Sequence, residues 1–177
     1  MTKAPCKLSV QAVHLVRTAT QTNLTLSQMA DQKASILMGA TFVVFTISVG
    51  QARSGAVPLT LLVLAGFAFL SAMCAVAAIL PSVATNAKRE TLPNLLFFGT
   101  FTQFSEDEFA DRVLAELGDD ERIYRAMLRD IHQNGMVLQH KKYRLLRMAY
   151  LLFLTGLGCS FAIFLLESRA LFGAIRF

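Results

Sequence analysis

PLTLLVLAGFAFLSAMCAVAAIL, residues 58–80, contains no charged side chain and no alternation of apolar with polar positions. A helix needs about 20 mostly apolar residues to cross about 30 Å of hydrocarbon, so this stretch is long enough to span a bilayer. Two further runs, residues 34–52 and 148–166, share its length and its lack of internal charge. Only helices and closed barrels satisfy their backbone polar groups in lipid, and barrel strands alternate. The sequence therefore predicts an all-α integral membrane protein with three transmembrane helices. An amphipathic N-terminal helix precedes them, and a helical cytoplasmic block, residues 81–147, separates spans two and three.

Composition agrees. Hydrophobic residues make up 54% of the 177-residue chain and charged residues 16%, which is too apolar for an ordinary soluble domain. The length accommodates a single membrane domain, residues 1–177, and no second large one. A net charge of +5 raises the question of nucleic acid, but the basic residues crowd the membrane boundaries, where orientation accounts for them. No nucleic-acid polymer is expected as a partner. Cys74 and Cys159 fall in spans and Cys6 near the start, with no Cys-x-x-Cys; neither a disulfide framework nor a zinc site is expected. The first basic residues are not followed directly by an apolar run, so no cleavable signal peptide is expected.

Basic residues set the orientation. Lys3, Lys7, Arg17 and Lys33 precede span one, and Arg53 alone lies between spans one and two. Lys88 and Arg89 follow span two, and Lys141, Lys142, Arg144 and Arg147 precede span three. Arg169 and Arg176 stand in the tail. The positive-inside rule places residues 1–33 and 81–147 in the cytoplasm and the tail outside.

In the aqueous part, Leu8, Ala12, Leu15, Ala19, Thr22, Leu26 and Met29 recur in steps of four and three. Residues 8–30 thus read as an amphipathic helix that either packs on another cytoplasmic helix or lies on the membrane surface; few basic residues on its polar face favour packing. It runs into Asp31-Gln32-Lys33, where Lys33 reads as a headgroup anchor and Asp31 as either paired or simply solvated. Pro81 and Pro93 break helices, and Phe97, Phe98, Phe101 and Phe104 follow. These rings either plug the cytoplasmic helices onto the membrane domain or form an aromatic wall for a planar ligand such as a nucleobase.

Ser105-Glu106-Asp107-Glu108 reads as a capping box, with Phe104 and Phe109 at staple positions. Phe109, Val113, Leu114 and Leu117 are the expected buried face, and Gly118 the stop. The acidic cluster thus has a structural explanation. A longer helix begins near Asp119 or Asp120, carrying Tyr124, Leu128, Ile131, Gly135, Leu138, Leu145 and Ala149 at three-four spacing that Lys142 interrupts. No proline interrupts it before span three, so one rod of about 70 Å at 1.5 Å per residue is expected from Glu121 to Leu166.

Within the spans, Ala68, Ala72, Ala75 and Ala78, and Gly156, Gly158, Ser160 and Ala162, allow close helix approach. No ionisable residue lies mid-span, which disfavours a selective ion or proton path. There is no Gly-rich phosphate loop, nucleophile elbow or His-Glu-x-x-His, so the chain is not expected to be an enzyme, and no metal or cofactor is expected. His132 and His140 read as solvated helix residues. Lys141-Lys142-Tyr143-Arg144 reads as an interfacial anchor that can also hold a phosphate.

Asp31-Gln32-Lys33-Ala34, Asn94-Leu95-Leu96-Phe97-Phe98-Gly99, and Asp130-Ile131-His132-Gln133-Asn134-Gly135 followed by Lys141-Lys142-Tyr143 together resemble the transmembrane effector domain of bacterial Pycsar anti-phage systems. The likeness runs from about residue 10 to about residue 160 and departs from the family pattern at Thr100, His132 and Asn134. It implies an effector in the bacterial inner membrane, triggered by cyclic CMP or cyclic UMP made by a partner cyclase. Such an effector impairs the membrane and brings about abortive infection, acting as a homo-oligomer in the lipid bilayer. It marks Asp31, Lys33, Asn94, Gly99, Asp130, Gln133, Gly135 and Tyr143 as motif positions. The expected ligand contacts are Lys141, Lys142 and Arg144 for the phosphate and Phe97 or Phe98 for the base. The competing reading is a non-gated membrane scaffold that anchors a soluble partner.

Overall fold

The structure, a computed structural model, describes residues 9–52, 58–80 and 93–174. Lys3, Cys6, Lys7, Leu8, Arg53, Pro81, Lys88, Arg89 and Arg176 lie outside them, as does the side chain of Phe98. Every regular element in these residues is helical: α1 Ala12–Ala52, α2 Leu59–Ile79, α3 Phe98–Phe101, α4 Glu106–Leu117, α5 Asp120–Val137 and α6 Arg144–Ala174. A π-helical segment, Leu138–Tyr143, joins α5 to α6 without a break. Three of the helical stretches are long and apolar enough to cross a membrane. The all-α, three-span reading of the sequence holds.

The amphipathic helix and span one are a single 41-residue helix, about 60 Å long at 1.5 Å per residue. That is twice the thickness of the hydrocarbon layer. The chain expected to be helical from α5 into span three is so throughout, with the unforeseen π segment between α5 and α6. The chain divides into two compact units, Met1–Ser27 with Pro81–Leu138, and Gln28–Leu80 with Gln139–Phe177. Both long helices contribute to both.

In the second unit, α1, α2 and α6 share a core of Leu37, Ala75 and Ala149, against which Met38, Cys74 and Phe153 pack. Ala68, Ser71, Ala75 and Ala78 form the buried line of α2. Ser71 takes the place that Ala72 was expected to fill, and its hydroxyl donates to the Ala149 carbonyl at 2.7 Å. Helix contact here is close enough that a Cβ on Gly156 would overlap the Cβ of Phe67. Gly156 and Ser160 are buried, whereas Gly158 and Ala162 face outward, so one of the two small-residue patterns serves packing within the chain.

Two expected apolar faces are corrected. On α1 the buried line is Val16, Ala30, Ala34 and Leu37, with Thr20, Asn23 and Ser27 half-buried between them. Leu15, Leu26 and Met29 of the expected stripe are exposed. The cause is polar: Asn23 donates its side-chain amide to the Ile131 carbonyl at 3.1 Å and so fixes the rotation of the helix within the first unit. On α4, Phe109 and Val113 are half-buried, but Leu114 and Leu117 are exposed. That helix is only 12 residues long and buries no side chain fully.

Candidate functional site

Each unit contains one polar cluster built from the motif residues. In the first unit, Asn94 is 2% exposed, and every hydrogen-bonding group of its side chain is used. Its amide nitrogen donates to Asp130 Oδ1 at 3.0 Å and to Gln133 Oε1 at 2.9 Å. Its oxygen accepts from the Leu96 amide at 3.0 Å. A buried amide needs such partners, since an unmet one costs about 1–3 kcal/mol. Two segments far apart in sequence are thereby pinned together, the loop that opens α3 and the inner face of α5. His132, between Asp130 and Gln133, is exposed, as a solvated helix residue should be.

The chain after Asn94 folds tightly. Phe97 accepts backbone bonds from Thr100 at 2.9 Å and Phe101 at 3.1 Å. Its ring lies where a Cβ on Gly99 would meet it at 2.7 Å, so a side chain at Gly99 would have to displace that ring. Phe101 packs on Phe109 with ring centroids 5.4 Å apart. Arg112 sits 4.6 Å above the centre of Phe104, an arrangement favourable for a cation over a π face. Ser105 accepts from the Glu108 amide at 3.3 Å, as a cap should. The Glu108 carboxylate is held by Arg112 at 3.0 Å, which replaces the reciprocal arm of the capping box. Gly118 keeps a right-handed backbone, and Asp119 caps α5 by accepting from Glu121.

In the second unit, Lys142 donates to both carboxylate oxygens of Asp31, at 2.8 and 2.7 Å. Of the two readings left open for Asp31, the paired one is observed. The neighbouring Lys141 donates to the Leu80 carbonyl at 2.8 Å, placing a cation at the C-terminal end of α2, where the helix dipole is negative. Consecutive residues of the π segment thus engage two different helices. Arg144 is exposed and Tyr143 half-buried.

At the other end of α2, Thr60 donates to Glu167 Oε2 at 2.8 Å, and Ser160 donates to the Thr60 carbonyl at 3.2 Å. Glu167, the single carboxylate of α6, therefore lies at the positive end of the α2 dipole. Sequence reasoning missed this pair because Glu167 falls just past the apolar run. Its signal was a lone acid next to a span whose partner helix begins with Pro58 and Thr60.

Of the expected ligand contacts, Phe97 and Phe98 belong to the first unit and Lys141, Lys142 and Arg144 to the second. Among the described residues, no group of three or more His, Cys, Asp or Glu side chains could hold a metal ion. A groove of about 300 Å³ in the membrane unit is lined by Phe67, Met148, Leu151, Leu152 and Thr155. Such walls suit acyl chains and offer a phosphate no cation.

Three apolar helices, a further helical unit and two polar clusters built from the motif residues define a helical membrane protein. The chain belongs to the family of the Pycsar effector protein domain, PycTM, whose model matches residues 14–167. It is thus a membrane effector of anti-phage defence. Comparison with curated proteins and with solved structures finds no match.

Proposed function

We propose that this chain responds to cyclic CMP or cyclic UMP, made by a partner cyclase, by self-associating and impairing the bacterial inner membrane. Abortive infection follows. Its N-terminus and residues 81–147 face the cytoplasm. It acts without catalysis and without a cofactor. The observation that carries this reading is the family match over residues 14–167, which takes in both polar clusters.

A ligand shifts an equilibrium only by binding one state better than the other. The Asp31–Lys142 pair supplies such a difference, because a phosphate that takes Lys142, with Arg144 nearby in sequence, competes directly with the Asp31 carboxylate. Lys142 and Asp31 are 20% and 40% exposed, so the pair keeps contact with water and a charged phosphate can compete for it. Lys141 adds positive charge beside it, while remaining the cap of α2. Phe97 and Phe98 are the candidates for stacking a base.

The test supplies each nucleotide to cells expressing the protein and follows membrane potential by dye. Depolarisation with at least one of them is expected. Unchanged potential with both, at confirmed expression and insertion, overturns the trigger. The scaffold reading draws on the exposed Leu114 and Leu117 of α4; a neighbouring gene for a soluble enzyme, with no cyclase gene nearby, would favour it.

A further inference from the structure

A second apolar line on α1, exposed among the described residues, follows a seven-residue repeat broken at Thr22. Leu15, Met29, Ile36 and Val43 recur in multiples of seven, with Leu26 and Ile47 four positions after members of the same series. All six are exposed, Leu15 by 73% and Ile36 by 64%. The buried line, through Ala30, Ala34 and Leu37, lies one position along, roughly 100° around the helix. So α1 carries two seams, and the chain itself covers one.

The geometry points to the second seam as the surface on which α1 of a second copy docks, parallel and in register. This rests on the self-association in the proposed function and adds where it happens. Lipid covers the seam only from about Ile36 onward; Leu15 and Leu26 precede the apolar run and have no such cover. Whatever covers the whole line must be a helix that leaves the membrane in the same direction with the same repeat. A second copy inserted in the same membrane presents that helix by construction. A seven-residue repeat kept over this length winds two helices into a left-handed coil.

Lys33 stands on the seam, four positions after Met29 and three before Ile36. In a parallel pair it meets its own copy. A single charged residue at such a position fixes register and weakens the assembly, which keeps the pairing reversible.

The test uses the full chain carrying Cys6→Ser, Cys74→Ala and Cys159→Ser, with one cysteine returned at a time. Thr22→Cys and Met29→Cys lie on the seam; Gln21→Cys and Gln28→Cys are their neighbours, and all four positions are exposed. A short bismaleimide applied to membranes should give several-fold more dimer at Thr22→Cys and Met29→Cys than at the neighbours. Adding Lys33→Leu should raise the Met29→Cys yield a further several-fold. Equal yields at all four positions, or no dimer at any, would remove the seam, and a lower yield with Lys33→Leu would remove the parallel register. Membrane potential read in the same cells separates the two proposals. Seam cross-links without nucleotide-driven depolarisation keep the seam and reject the trigger, whereas depolarisation with equal cross-linking does the reverse.

Discussion

Lys142 holds both carboxylate oxygens of Asp31 across 111 positions of sequence, tying the start of span one to the helical segment that leads into span three. The double-mutant cycle of Asp31→Asn and Lys142→Gln isolates this tie. Each single change should lower the melting temperature in detergent by about 2–4 °C, the equivalent of about 1 kcal/mol for a chain of this size. The double change should cost little more than either single one. Additive losses would mean that the two groups act separately.

Asn94 offers a sharper test of the first unit. Replacing it with alanine leaves Asp130 and Gln133 without their shared donor, at about 1–3 kcal/mol. Asn94→Asp should be worse, because a carboxylate then faces Asp130. Folded yield after detergent extraction should fall in the order wild type, Asn94→Ala, Asn94→Asp; a reversed order of the two variants would mean that the amide is not the donor.

Two glycines two residues apart should behave oppositely. Gly156→Ala drives a methyl group into the Cβ of Phe67, backbone-proximal matter that cannot swing aside, and should cost about 1–3 kcal/mol. Gly158 has nothing within 4 Å of the added carbon. There the substitution should leave the melting temperature unchanged or raise it, since alanine is the better helix former by about 1 kcal/mol. Equal effects would argue against the close approach of α2 to α6.

Lys141 and Glu167 sit at opposite ends of α2, about 30 Å apart for a helix of its length. Lys141→Gln and Glu167→Gln should each cost about 0.3–1 kcal/mol. Sites this distant share no partner, so the combined variant should show the sum, read as melting temperature in detergent.

The spans were legible because length and absence of charge are sufficient signals for lipid-crossing helices. The caps of α4 and α5 were legible because Ser105 and Asp119 act on amides two or three residues away. The rotation of α1 was not. Leu15 and Val16 begin equally plausible stripes, and the choice falls to Asn23, whose partner Ile131 is 108 residues distant. Asn94, Asp130 and Gln133 were visible as motif positions, but nothing local says that one amide satisfies both acceptors. Hydrophobic pattern likewise overestimated α4, where Leu114 and Leu117 have helical spacing yet are exposed among the described residues. The π segment has no signature in residue type.

Four ties run the length of α2 and α6: Lys141 to Leu80, Ser71 to Ala149, Gly156 against Phe67, and Thr60 to Glu167. On α1 the same unit buries Ala30, Ala34, Leu37, Thr41 and Ser48, and adds the ring of Phe45 beside Phe69 at 6.0 Å and the half-buried Asp31–Lys142 pair. Within the membrane unit α2 and α6 are therefore fastened to each other by polar and backbone-close contacts, while α1 is held mainly by small buried side chains. A covalent bridge between α2 and α6 should therefore add less to the melting temperature than one between α1 and either of them.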